Sequence, residues 1–152
     1  MKKFLIGCGA LSLILLVIGV IGFAVLAYHG TRLDKESSVY ADTAMKAIAT
    51  DWSEKALLDR ASPEFKQATT IDQLDAYFRG CSKLGHLQQA EPMKGQAGIS
   101  YHQGVGKRIE GLYTAKAQFE NAEATITLGL IKHGDQWQIA RFDVQAPGYH
   151  PQ

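Results

Sequence analysis

The stretch 111–144, GLYTAKAQFENAEATITLGLIKHGDQWQIARFDV, decides the fold. At its start Tyr113, Ala115, Ala117 and Phe119 fall two apart, with Thr114, Lys116 and Gln118 between them. A period of two puts alternate side chains on opposite faces of a strand, so one face is apolar and the other wet. Glu120-Asn121 reads as a tight connection. Ala124, Ile126, Leu128 and Leu130 then repeat the alternation with Thr125 and Thr127 opposite, and His133-Gly134-Asp135 reads as a hairpin loop. The last strand runs from about Gln136 to Val144, and Pro147 ends regular structure. Short turns between apolar-faced strands predict an antiparallel meander.

The last strand breaks its own pattern. Trp137 and Ile139 share one parity, while Ala140, Phe142 and Val144 share the other. Either a bulge near Ala140 shifts the register, or Arg141 and Asp143 face the same side as Trp137. The bulge keeps both aromatics buried and is the expected arrangement. The other would set an ion pair inside a concave sheet, where it could orient a ligand.

Upstream the period changes. Tyr40, Ala44, Ile48 and Trp52 fall four apart, the spacing of one helix face. Asp51 and Glu54 have capping-box spacing, which predicts a break near Trp52 and a second helix to about Ala61 that buries Leu57, Leu58 and Ala61. Ser62-Pro63-Glu64 combines an N-cap serine, a first-turn proline and an acid at the positive end of the helix dipole. Thr70 and Gln73 repeat the capping box before a helix carrying Ile71, Leu74, Phe78, Cys81 and Leu84 on one side, with Gly85 placed to end it. Leu87 to Gly98 is polar and only faintly strand-like, and Gly104-Val105-Gly106 is turn chemistry. The expectation is an α+β domain of helices packed on a curved antiparallel sheet of about four strands.

At the N-terminus, Phe4 to Tyr28 is an apolar run with no charged side chain, preceded by Lys2 and Lys3. A helix of that length exceeds the ~30 Å hydrocarbon layer. Two other readings compete. Val25-Leu26-Ala27 offers a processing site, but the apolar core is longer than a signal peptide's. Leu5-Ile6-Gly7-Cys8 has the residues of a lipobox, but no apolar region precedes it. The length favours an uncleaved anchor. The expected layout is a cytoplasmic tail at 1–3, a transmembrane helix at 4–28, a stalk at 29–38, the α+β domain at 39–146 and a C-terminal tail at 147–152. The positive-inside bias keeps the lysines cytoplasmic, although Arg32 and Lys35 blunt the asymmetry. A single pass of the inner or plasma membrane then leaves the domain periplasmic or extracellular.

Of the 16 basic residues, two precede the apolar run, leaving 14 against 15 acidic ones. That balance speaks against a nucleic-acid footprint and against a polybasic grip on anionic lipid. Cys8 lies in the apolar run and Cys81 beyond it, so neither a disulfide framework nor a metal-type cysteine pair is present. Gly104 to Arg108 contains Gly-Lys but lacks the first glycine and the Ser or Thr of a phosphate loop. His29, His86, His102, His133 and His150 have no partner at ligand spacing and read as loop or interface residues. Cys81 lies on an apolar helix face and reads as an inert buried thiol. Asp72 and Asp75 read as a solvated helix face. No catalytic residue, cofactor site or metal site is expected.

The runs Asp51-Trp52, 61–65 (ASPEF) and 132–139 (KHGDQWQI), closing on WQIARFDV at 137–144, resemble small bacterial envelope proteins of the NTF2-like and cystatin-like kind. The resemblance spans roughly 40–144 and implies helices against a curved antiparallel sheet. That superfamily holds isomerases, dehydratases, transport factors and plain binding modules, so the fold does not fix a function. Its isomerases use a carboxylate base and a tyrosine donor, and no position here matches that pattern.

Three functions remain as expectations. The first is an anchored, non-catalytic binding or accessory module whose partners are the membrane and an envelope protein. The second is a cone-type enzyme or small-ligand binder, with Tyr113, Arg141 and Asp143 as concave-face candidates, Asp143 as base and Tyr113 as donor. The third is a spacer that self-associates through its anchor.

Overall fold

The computed structural model describes residues 32–148. No helix among them is long and apolar enough to cross a membrane, and the run 4–28, where the span is expected, lies outside them. Most of the described chain, from Asp34 on, forms one compact unit.

Helix α1 is described over 32–49, so the stretch expected as a stalk is helical from its fourth residue. From Asp34 on it belongs to the domain, and its Ser37 is fully buried. The buried face of α1 carries Ser37, Ala41, Ala44, Met45, Ile48 and Ala49. Tyr40, expected on this stripe, is only half-buried. Trp52 ends the turn with φ +51°, the left-handed region that favours glycine, and Ser53 N–H donates to Ile48 C=O at 2.9 Å. The tryptophan is held there by its indole N–H, which donates to Gly85 C=O at 2.9 Å, and by stacking on Phe119 with centroids 4.9 Å apart.

Helices α2 (Glu54–Leu58), α3 (Pro63–Ala68) and α4 (Ile71–Cys81) follow. The cap of α2 is Ser53, whose side chain accepts from Ala56 N–H, and not Asp51 as the spacing predicts. Helix α2 also stops short of Ala61, because Ala61 makes a parallel bridge to the sheet. The caps at Ser62 and Thr70 form as expected, the second as a complete capping box. In α4, Leu74, Phe78 and Cys81 are buried, but Ile71, expected on the same side, is 72 % exposed. A 3-10 turn, Ser82–Leu84, ends at Gly85 with φ +83°.

The sheet is antiparallel, with strands β1 (Leu87–Ala90), β2 (Lys94–His102), β3 (Gly106–Phe119), β4 (Glu123–His133) and β5 (Gln136–Gln145). The five strands exceed the four expected for a definite reason. Both β1 and β2 pair with β3 on the edge away from β4, at Leu87↔Phe119 through Ala90↔Ala117 and then Lys94↔Thr114 through His102↔Gly106. They are two lengths of one edge row, interrupted at Glu91-Pro92-Met93. Proline has no N–H for a ladder, so it falls where the row breaks. Met93 turns inward there and is buried.

Both edges of the sheet are covered for part of their length. Asp34 and Asp42 of α1 accept from the backbone N–H groups of Ala97 and Met93, each at 2.7 Å. Eight residues of helix rise about 12 Å and four of strand about 13 Å, so the two contacts run in step and set α1 antiparallel to β2. On the far edge, Ile139 N–H donates to Arg60 C=O and Ser62 N–H to Ile139 C=O, both at 2.8 Å. Such cover leaves less open strand edge for another chain to pair with.

The bulge in the last strand is present. Gly129 pairs with Arg141 and Leu130 with Ile139, so Ala140 is the extra residue. Trp137, Ile139, Phe142 and Val144 therefore share the face of Tyr113, Phe119, Ile126, Leu128 and Leu130 against the helices. Tyr77 and Phe78 of α4 pack on Phe142, with centroids 6.4 and 6.0 Å apart.

Candidate functional site

The register sorts the three sequence candidates onto two faces. Tyr113 pairs with Leu128 and Leu128 with Phe142, so Tyr113 faces the helices. It is fully buried, and its hydroxyl lies 2.5 Å from Ser37 Oγ. Burial raises the pKa of this phenol above its ordinary value, against the opposing pull of the Ser37 hydrogen bond. Its environment is that of a neutral structural hydroxyl.

Arg141 and Asp143 share the opposite face, since Arg141 pairs with Gly129 and Asp143 with Thr127. Arg141 is exposed, and Asp143 Oδ2 accepts from Gln145 Nε2 at 2.9 Å. The two do not form an ion pair with each other. The sheet itself separates Tyr113 from Asp143, so those two do not meet as donor and base.

The helix-covered face is filled. Phe119, Leu128, Ile139 and Val144 are 1 % exposed or less. A recess of about 210 Å³ remains at its margin, between Phe65, Leu74, Tyr77 and Phe142. Nearby, burial pushes the Cys81 thiol up to about 11 and raises the Tyr77 phenol as well. A thiol so raised is protonated at neutral pH and inert as a nucleophile.

Except at its hairpin end, the other face has no helix over it among the described residues. At that end Ile131 is buried, and Glu64 of α3 pairs with Arg108 and His133 at 3.9 and 3.1 Å. Its own backbone N–H, then Ser62 and His133, hold the Glu64 carboxyl below the usual range. Beside this network the open face carries a recess of about 480 Å³. Gly98 and Gly129 leave its floor low, and Leu112, 53 % exposed, forms an apolar wall. Glu110 stands at one end, accepting from Ser100 Oγ at 2.9 Å and paired with Arg108 at 3.8 Å. The glycines differ in the room around them. A Cβ at Gly129 would come within 2.8 Å of Arg141 Cβ, whereas one at Gly98 would meet nothing within 4 Å.

A second recess, of about 640 Å³, lies by Tyr40, Arg60 and Trp137. Among the described residues Trp137 Nε1 and Gln138 Oε1 are buried without a hydrogen-bond partner. His86, His102 and His133 each sit beside one carboxylate, of Asp51, Glu110 and Glu64. Among the described residues no three His, Cys, Asp or Glu side chains converge as a metal site would require.

The open-face recess was not legible as a site. Its floor is glycine, which the sequence offers only as turn or strand-weakening residues, and its walls come from β2 to β5. The described residues thus form an α+β domain with one sheet face packed under helices and the other largely open among them. Comparison with family models, with curated proteins and with solved structures gives no match.

Proposed function

We propose that this chain is a single-span envelope protein whose domain is a non-catalytic binding or accessory module. The span is the run 4–28, with the N-terminus cytoplasmic and the domain held on the far side of the inner or plasma membrane. The domain grips a segment of an envelope protein on its open sheet face. The observation that carries this reading is the recess floored by Gly98 and Gly129 and walled by Leu112, beside a helix-covered face that is closed. Apolar wall, polar ends and a side-chain-free floor suit an apolar side chain presented by a partner.

The domain architecture, helices followed by an antiparallel sheet, also fits the NTF2-like and cystatin-like resemblance. A cone-type enzyme draws less support, because Tyr113 is fully buried and its hydroxyl is occupied by Ser37.

The test uses the full chain in its own membranes. Mass spectrometry of the mature protein should return an intact N-terminus in the membrane fraction. Mild crosslinking should recover one defined partner, lost on Gly98→Leu, a change that fills the recess with a side chain that has room there. Material that begins near Tyr28 and washes free, or crosslinks indifferent to Gly98→Leu, would refute the reading.

A further inference from the structure

The hairpin of β2 and β3 has a character that the recess does not use. Its strands stay paired to His102↔Gly106, and Val105 N–H closes the loop onto His102 C=O at 3.2 Å. Beyond the cover of α1 it leaves Ile99 50 %, Tyr101 78 % and Val105 59 % exposed. These are half of the six large apolar residues that stand exposed among the described residues. Charge is segregated here too. From Lys94 to Ile109 there is no acidic residue; of its three cations Lys94 pairs with Glu91 and Arg108 with Glu64 and Glu110, which leaves Lys107 as the cation of the tip. Since the chain beyond the apolar run is slightly acidic overall, the rest of it is more acidic still.

Direction and reach add a second argument, resting on the anchored reading above. The contacts Asp34–Ala97 and Asp42–Met93 set α1 antiparallel to β2. The hairpin therefore projects past Ala97 on the side where the chain leaves the domain at Asp34. From Ala97 to the loop at Val105 the projection is about 20–25 Å. Only five residues lie between Tyr28 and Asp34, a span of at most about 22 Å on any path. The surface of the bilayer holding 4–28 thus lies within the hairpin's reach.

The geometry points to the tip of this hairpin, Tyr101 and Val105 with Lys107, as a second contact with the membrane surface. Tyrosine and lysine suit the headgroup layer, where a ring lies among acyl and glycerol groups and an ammonium among phosphates. One tip cation is too few to hold a free protein on lipid. The covalent anchor supplies the local concentration, and the tip fixes orientation. The open sheet face is then presented in one fixed attitude to a partner in the same membrane.

The test places an environment-sensitive fluorophore on Val105→Cys in the full chain, with Cys8→Ala and Cys81→Ala. The labelled chain is reconstituted into phosphatidylcholine–phosphatidylglycerol vesicles that contain a shallow lipid nitroxide. Asn121→Cys, at the far end of β3, serves as the control position. The expected result is a blue shift and roughly twofold or greater quenching at 105, none at 121, and a loss of quenching on Tyr101→Ser. Equal signals at the two positions, or quenching unchanged by Tyr101→Ser, overturn the assignment. Alkaline extraction of the same vesicles separates the two claims. A chain that washes off refutes the anchor, while a retained chain with a water-exposed 105 refutes only the hairpin contact.

Discussion

The two faces of this sheet are made from the same strands and differ in almost everything else. On one, Tyr113, Phe119, Ile126, Leu128, Ile139 and Val144 are sealed under the helices. On the other, Leu112, Gly129, Arg141 and Asp143 stand beside a recess with no helix over it. The packed face ties its side chains to stability through shape, whereas the open face leaves its side chains to solvent.

Substitution should expose that difference. Phe119→Ala removes a fully buried ring and the platform for Trp52, and should cost about 4 kcal/mol in chemical denaturation. In β2 two glycines should part company. A Cβ at Gly95 would lie 1.9 Å from Leu112 C=O, so Gly95→Ala should cost about 2 kcal/mol or more. Gly98→Leu, three residues on, should stay within about 0.5 kcal/mol of the parent while abolishing partner capture. A large loss at Gly98 would mean that the open face is structural after all.

Alkali should act on the covered side alone. Burial raises Cys81 to about 11 from an ordinary value of 9, so folding favours its protonated form. That stabilisation is complete below pH 9 and is lost as the pH rises through about 11. The free energy of unfolding from chemical denaturation should fall over this window by up to about 2 kcal/mol, and Cys81→Ala should flatten the slope. Tyr77 and Tyr113, also raised by burial, extend the loss to higher pH.

Tyr113→Phe deletes the hydroxyl facing Ser37 and should cost about 1 kcal/mol, measured by thermal denaturation. Arg141→Ala, exposed on the other face, should shift stability by less than about 0.5 kcal/mol.

Much of the covered face was legible because each of its rules is local. Alternation marked β3 and β4, the Gly-Asp turn marked the last hairpin, and the parity break at Ala140 announced the bulge. The caps at Ser62 and Thr70 were readable for the same reason. The row β1–β2 was not, since an edge strand with its side chains mostly exposed has no apolar alternation to show. The Ser37–Tyr113 contact joins residues 76 apart, and no pattern in the chain signals it. The candidate trio fell apart on a point the sequence did hold. Once the bulge is accepted, Tyr113, Leu128 and Phe142 share a face and Arg141 and Asp143 must take the other.

The most direct test of two unlike faces is site-specific photocrosslinking of the full chain in intact membranes. One probe replaces Leu112 on the open face, and a second replaces Asp72 on the exposed side of α4. The account predicts a discrete heavier adduct from 112, absent from 72 and abolished by Gly98→Leu. Matching adducts from both positions, or none from 112, would contradict it.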